Sequence, residues 1–236
     1  MIYDKLATIY DGLVGDKQAN AKYLAFINQH ATYESVLELG CGSGEIAIAL
    51  AKDDKYVEAS DLSEAMLKAA VQKAGSDKVN FYQQDMRDLK QKHVFDLIVC
   101  LCDSINYLNN QDLAGLFIAI YEALKTSGTF IFDMHSLDRL KEFEEEFYEA
   151  GIIDNYEYVW SITSEDDYIA QHFIIYDEDA NPHYENHLQY VFDPNEVIIL
   201  LKETGFEVEA YTDFDLNGIQ NGEKYFLVCK KAEVVK

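Results

Sequence analysis

The sequence is short of positive charge. Its 19 lysines and arginines stand against 43 aspartates and glutamates, for a formal net charge of −24. Only Arg87 and Arg139 are arginines. Nucleic acids are bound by cationic surface that displaces counterions. The chain carries no basic stripe, which argues against DNA or RNA as a partner and favours neutral or cationic small molecules. Apolar runs of the ~18 residues that span a membrane are missing. The opening residues, Met1-Ile2-Tyr3-Asp4-Lys5, lack the basic-then-apolar pattern of a secretory leader. No membrane association is therefore expected. Cysteine is sparse too. Cys41, Cys100, Cys102 and Cys229 form no C-x-x-C pair, which points to a reduced, cytoplasmic and metal-free protein. Proline occurs twice, and neither a low-complexity linker nor an internal repeat is present. A chain of 236 residues that is 49% apolar has ample material for one domain with room for an insertion. Composition does not fix an oligomeric state.

What is present is organised around Val36-Leu37-Glu38-Leu39-Gly40-Cys41-Gly42-Ser43-Gly44. The apolar run reads as a buried strand, the alternate glycines as a tight turn, and Glu45–Ala51 as the start of a helix. Strand, glycine turn and helix open the nucleotide-binding α/β folds. A dinucleotide fingerprint is G-x-G-x-x-G with a pyrophosphate on the helix N-terminus. Here the spacing is G-x-G-x-G, and Glu45 stands where the helix begins. A carboxylate there suits the helix dipole and repels a pyrophosphate, so the loop suits a nucleoside without phosphates.

Strands are expected at Val36–Leu39, Tyr56–Ser60, Val79–Gln83, Phe95–Leu101 and Thr129–Phe132, with helices between them. The segment Tyr3–Asp11 carries apolar groups at helical spacing, followed by a helix from Asp16 to His30. Ser63 is placed to cap a helix beginning at Glu64. Leu137–Ala150 reads as a helix whose charge run Glu142–Glu146 is solvated. Asn155–Ser164, Tyr168–Asp177 and Tyr184–Phe192 then read as a three-stranded antiparallel sheet. On the last of these, Glu185, His187 and Gln189 share one face by period two. His183, Glu185 and His187 also have a spacing open to a metal, but exposed edge residues are the simpler expectation. Asp193-Pro194 opens a last helix, and Phe206–Phe214 and Glu223–Lys230 close the chain as an antiparallel hairpin. The fold class is α/β: a doubly wound, seven-stranded, mostly parallel sheet with a small antiparallel sheet inserted. The expected division is 1–135 plus 193–236 as the cofactor-binding domain, and 136–192 as the inserted helix and sheet that cover a second substrate.

The run Glu38-Leu39-Gly40-Cys41-Gly42-Ser43-Gly44 resembles the first motif, E/D-x-G-x-G-x-G, of the class I S-adenosylmethionine-dependent methyltransferases. The run from Asp61 to Leu67 and the pair Asp85-Met86 resemble the next two motifs. The resemblance covers nearly the whole chain and implies S-adenosylmethionine as cofactor. It implies Asp61 as the acid that takes both ribose hydroxyls, and Asp85 and Met86 as adenine contacts. The full cofactor set it implies is Glu38, Gly40, Cys41, Gly42, Gly44, Asp61, Leu62, Asp85, Met86 and Leu101. The segment after the fourth strand, Cys102–Leu108, resembles that of small-molecule N-methyltransferases acting on glycine or amino sugars. An amide of the glycine type is replaced by Asp103, which suits an amine better than a carboxylate. Asp103 and His135 stand at strand carboxyl ends, where parallel sheets bind ligands, and both are expected to meet the acceptor. The opening tyrosines Tyr3 and Tyr10 resemble a lid whose rings reach the sulfonium by cation–π attraction. Ser104, Asn106 and Tyr107 are further acceptor-side candidates. The expected activity is methyl transfer to a small-molecule amine or hydroxyl. The alternatives are a non-catalytic protein that binds a nucleoside cofactor and, less favoured by Glu45, an NAD-dependent oxidoreductase.

Overall fold

The computed structural model describes residue 3 and residues 5–232. After a single tight turn at Leu6–Thr8, the elements are α1 (Tyr10–Val14), α2 (Lys17–His30), β1 (Ser35–Leu39), α3 (Glu45–Leu50), β2 (Tyr56–Asp61), α4 (Glu64–Ala70), β3 (Val79–Gln83), β4 (Phe95–Cys100), α5 (Asn110–Ala123) and β5 (Leu124–His135). There follow α6 (Asp138–Glu142), β6 (Phe147–Ile153), β7 (Tyr156–Glu165), β8 (Tyr168–Tyr176), β9 (Pro182–Tyr190), α7 (Pro194–Thr204), β10 (Phe206–Thr212), β11 (Leu216–Asn217) and β12 (Lys224–Lys231).

The main sheet has the order β11-β10-β12-β5-β4-β1-β2-β3. Strands β1 to β5 are parallel, and β10, β11 and β12 are antiparallel to their neighbours. It therefore contains the seven expected strands and one more, the two-residue β11. Strands β1 and β4 are apolar almost throughout because helices cover both faces of the sheet. Phe117 of α5 packs against Phe130 and Phe132 on one face, and Phe26 and Ile27 of α2 pack on the other. Chain order reverses between β1 and β4, so a crevice opens at their carboxyl ends.

Capping chemistry sets the helix boundaries. Ser63 accepts the Met66 N–H at 3.2 Å, as the sequence predicts. Asn109 caps α5 through the N–H groups of Gln111 and Asp112. Asp193 caps α7, and Gly205 ends it in a left-handed conformation.

Three expectations need correction. β5 starts at Leu124, directly after α5, and the 125–128 turn is an irregularity in its pairing with β4. The expected helix Leu137–Ala150 stops at Glu142. Phe143 is buried there, and the chain turns into β6, which pairs with β7 from Phe147 to Ile153. The inserted sheet thus has four strands, in the order β6-β7-β8-β9. Among the described residues no helix is long and apolar enough to cross a membrane.

Candidate active site

The first cavity, of about 570 Å³, lies at the carboxyl ends of β1, β2 and β4. Of the predicted cofactor residues, Glu38, Gly40, Cys41, Gly42, Asp61, Leu62, Asp85, Met86 and Leu101 line it. Gly44 does not. An added Cβ there would sit 2.8 Å from the Phe81 ring and 3.0 Å from Ala70, so Gly44 serves the packing of α3 on the sheet. Gly42 has φ 51°, and an added Cβ would meet nothing within 4 Å. That position needs glycine for its backbone angle and leaves bare peptide facing the cavity.

Three carboxylates differ in what they have left to offer. Asp61 accepts the Gly42 N–H on Oδ2 and the Ser63 N–H on Oδ1, each at 2.8 Å. One lone pair remains free on each oxygen, the arrangement that a vicinal diol requires. Burial raises its pKa, and those N–H groups pull it back only in part. Asp85 is already held at 2.6 Å by the Arg87 guanidinium, whose hydrogen bonds keep it below the usual carboxylate range. Glu38 is 3% exposed, and its Oε2 has no partner among the described residues. Burial pushes its pKa up to about 8, against the opposing pull of the Ala47 N–H.

The cations on this wall are spent: Arg87 on Asp85 and Asp112, and Lys68 on Glu64. No free positive charge among the described lining residues awaits a phosphate. A diol acceptor, an unsatisfied carboxyl at Glu38 and bare glycine backbone fit a phosphate-free nucleoside that carries positive charge.

A second cavity, of about 640 Å³, lies under the inserted sheet. Tyr3, Tyr10, Cys102 and Tyr107 line both cavities and form the wall between them. Cys102 and Asp103 follow β4 with consecutive left-handed angles, φ 56° and 60°. Backbone of this kind costs on the order of 1–3 kcal/mol per residue and persists only where the surroundings enforce it. It turns Cys102 to the shared wall and Asp103 into the second cavity.

There Asp103 Oδ2 accepts from Lys224 Nζ at 2.7 Å, and Asp133 Oδ2 accepts from the same ammonium at 3.0 Å. Tyr23 donates its hydroxyl hydrogen to Asp133 Oδ2 at 3.0 Å. Burial opposes the lysine charge, but Asp103 and Asp133 outweigh it and hold its pKa well above the ordinary value. Burial also works against ionised Asp103, yet Lys224 outweighs it and keeps its pKa low. Asp133 is fully buried, which raises its pKa.

His135 is 4% exposed. Its Nε2 lies 3.2 Å from Gln189 Oε1, an acceptor, so the hydrogen is assigned to Nε2. Nδ1 is then a bare lone pair, 3.5 Å from Asp103 Oδ1. Neither atom has a hydrogen-bond partner among the described residues. Two facing acceptors call for a donor between or beside them.

The remaining candidates divide. Ser104 lines the first cavity and donates to the Leu101 carbonyl at 2.8 Å. Asn106 is fully buried and ties the end of β5 to the inserted sheet, accepting the His135 N–H and donating to the Tyr190 carbonyl. It faces neither cavity. His183 is paired with Asp177 at 2.9 Å. Glu185 and His187, expected as exposed edge residues, are 8% and 2% exposed. The polar interior they occupy explains the reversal: β9 turns its polar face inward because it roofs a polar cavity.

Sequence reasoning missed Asp133 and Lys224. Asp133 carried a signal, because it sits at the carboxyl end of β5 beside His135. Lys224 reaches the site only through the pairing of β12 with β5, in which it stands opposite His135.

Comparison with known proteins agrees with this geometry. The family description of a methyltransferase domain matches residues 36–128. A putative methyltransferase of Bacillus subtilis, YqeM, is 32% identical over 246 residues, covering 100% of this chain and 99% of its own. A crystal structure of an S-adenosylmethionine-dependent methyltransferase from Clostridium acetobutylicum superposes with a TM-score of 0.82 at 26% identity, covering 98% of this chain and 99% of that one. An amino pentose methyltransferase of Micromonospora echinaspora, solved with S-adenosylmethionine bound, shares the fold with a TM-score of 0.74 at 17% identity, over 98% of each chain.

Proposed function

The chain belongs to the S-adenosylmethionine-dependent methyltransferases, and from that premise we propose that it methylates an amine or hydroxyl of a small molecule held in the second cavity. The observation that carries this reading is the unpartnered pair, Asp103 Oδ1 and His135 Nδ1, beside the wall shared with the cofactor cavity. A group with a hydrogen to donate satisfies both.

S-adenosylmethionine supplies an electrophilic methyl on a sulfonium. Asp61 is suited to its ribose diol, Glu38 to its amine end, and Asp85 with Met86 to its adenine. The acceptor atom needs a free lone pair. The proton it gives up passes to His135 Nδ1, and ionised Asp103 stabilises the imidazolium that forms. Lys224 stops Asp103 from taking that proton itself and holds it in place. Cys102 is a competing nucleophile on the shared wall. Although Cys102 is exposed to the open cavity, desolvation by the surrounding wall and the nearby Asp133 raise its pKa, so it stays a thiol. Much of the chemistry is then positioning.

A cavity of about 640 Å³ is roomy for glycine and lies in the range of drug-sized ligands. Trp160 and Phe173, stacked at 17° between ring planes, add an aromatic surface to its wall. The net charge of −24 disfavours a polyanionic acceptor.

The test is a screen of amine and hydroxyl metabolites with methyl-labelled S-adenosylmethionine, followed by Asp103→Asn and His135→Gln on the acceptor found. Turnover is expected to fall about 10²–10⁴-fold in His135→Gln, with S-adenosylhomocysteine binding retained. Full turnover in both variants would sink the reading.

A further inference from the structure

Glu185 and His187 are buried, polar and unused by the acceptor site described above. Glu185 Oε1 accepts the backbone N–H groups of Lys5 and Leu6, at 2.5 and 2.7 Å. Its Oε2 lies 3.5 Å from His187 Nε2, and neither of these two buried atoms has a hydrogen-bond partner among the described residues. On the other side of the imidazole, Nδ1 is 2.9 Å from the Tyr107 hydroxyl. That hydroxyl is 2.7 Å from the hydroxyl of Tyr3. The chain of contacts runs from the inserted sheet to the wall between the two cavities.

Its direction can be deduced. Burial works against ionised Glu185, but His187 and the two backbone N–H groups outweigh it and hold its pKa below the ordinary value. A carboxylate only accepts, so the hydrogen of a neutral His187 is assigned to Nε2, with a lone pair at Nδ1. Tyr107 must then donate to Nδ1. Its oxygen is left to accept from Tyr3. Burial raises the pKa of both phenols, so each has one hydrogen and spends it inward. What remains on Tyr3 is lone pairs.

We propose that Glu185 and His187 set the hydrogen-bond polarity of Tyr107 and Tyr3, so that Tyr3 presents oxygen lone pairs rather than a hydrogen to the point of methyl transfer. Both are positioning residues. Lone pairs stabilise a positively charged methyl carrier, whereas a hydroxyl hydrogen aimed at it repels. The inference rests on the cofactor's reactive end lying at the shared wall, as the proposed reaction requires, and not on the identity of the acceptor.

Glu185→Gln provides a near-isosteric test. To keep accepting from Lys5 and Leu6, the amide oxygen must take the Oε1 place, which turns the NH₂ group toward His187 Nε2. The imidazole must then shift its hydrogen to Nδ1, Tyr107 must accept from it, and the chain reverses to its end. Two readouts follow this. Ring ¹⁵N NMR should place the His187 hydrogen on Nε2 in the wild type and on Nδ1 in Glu185→Gln. Sinefungin carries an amine-bearing carbon in place of the sulfonium and its methyl, so its amine probes the transfer point. The wild type should prefer it to S-adenosylhomocysteine by about tenfold. That preference should vanish in Glu185→Gln and in Tyr3→Phe, with S-adenosylhomocysteine affinity kept in Glu185→Gln.

A wild-type His187 with its hydrogen on Nδ1 overturns the proposal. So does a Glu185→Gln protein in which the hydrogen stays on Nε2, or in which it moves and the sinefungin preference survives. A preference that survives in Tyr3→Phe also overturns it. Neither readout uses an acceptor, so failure to methylate amines or hydroxyls is seen separately.

Discussion

A carboxyl group at the end of a central strand, such as Glu38, is desolvated by the same packing that forms the strand. Its pKa rises from 4.5 to about 8. Between those values the folded state holds a proton that the unfolded state has released, so this group makes stability fall as pH rises through the window. A difference of that size is on the order of a few kcal/mol once the carboxylate is forced to ionise. Glu38→Gln mimics the protonated form. It should raise the melting temperature more at pH 8 than at pH 5, and an equal shift at both would contradict the assignment. At this scale the cofactor side was legible in the sequence. Glycine spacing and acids at strand ends are local features, and Glu38, Asp61 and Asp85 do face one cavity. Gly44 stands apart from these because it packs against Phe81 and Ala70 rather than lining the cavity, a distinction that glycine spacing alone does not carry.

Elements follow the same division between local and long-range information. The parallel strands were readable because burial on both faces makes them apolar runs, and Ser63 by capping chemistry and Pro194 by its place in the first turn announced their helices. The charge run after α6 misled because a solvated helix and a turn into an edge strand look alike in sequence. Only the burial of Phe143 and the pairing of β6 with β7 decide between them. On β9, period two correctly grouped Glu185, His187 and Gln189, but polar character suggested the wrong side. Gln189 shows what that inward face does. Its amide oxygen accepts from Gln171 at 2.6 Å and faces His135 Nε2 at 3.2 Å, at 4% exposure. Gln189→Leu leaves the buried His135 Nε2 hydrogen and the half-buried Gln171 amide without their acceptor, and should destabilise the protein by about 1–3 kcal/mol in urea unfolding. A neutral result would mean that the polar roof of the cavity is not a connected network.

For the whole molecule, the two cavities predict which ligands stabilise it. S-adenosylhomocysteine at 100 times its Kd should add about 2.7 kcal/mol to unfolding, readable as a thermal shift that weakens in Asp61→Ala. NAD should add nothing, because the cations on the first cavity's wall are already paired. Stabilisation by NAD alone would contradict the cavity's chemistry. Two cavities with a common wall were only half legible in the sequence, because the second is made by contacts between segments far apart in the chain.

Lys224 stands 121 residues after Asp103 and 91 after Asp133, the two acids its ammonium bridges. At roughly 5–20 residues per second, a ribosome delivers these acids many seconds before their cation. In that interval β5 has its parallel neighbour β4 but lacks β12 on its other side, so the growing sheet presents an unpaired edge next to two carboxylates with no lysine between them. Those charges discourage burial of that edge, and of the Phe130–Phe132 stretch on it, against another chain. The acids that later flank the acceptor cavity thus begin as gatekeepers of an unfinished sheet, and the strand that completes the sheet is the one that brings their counter-charge.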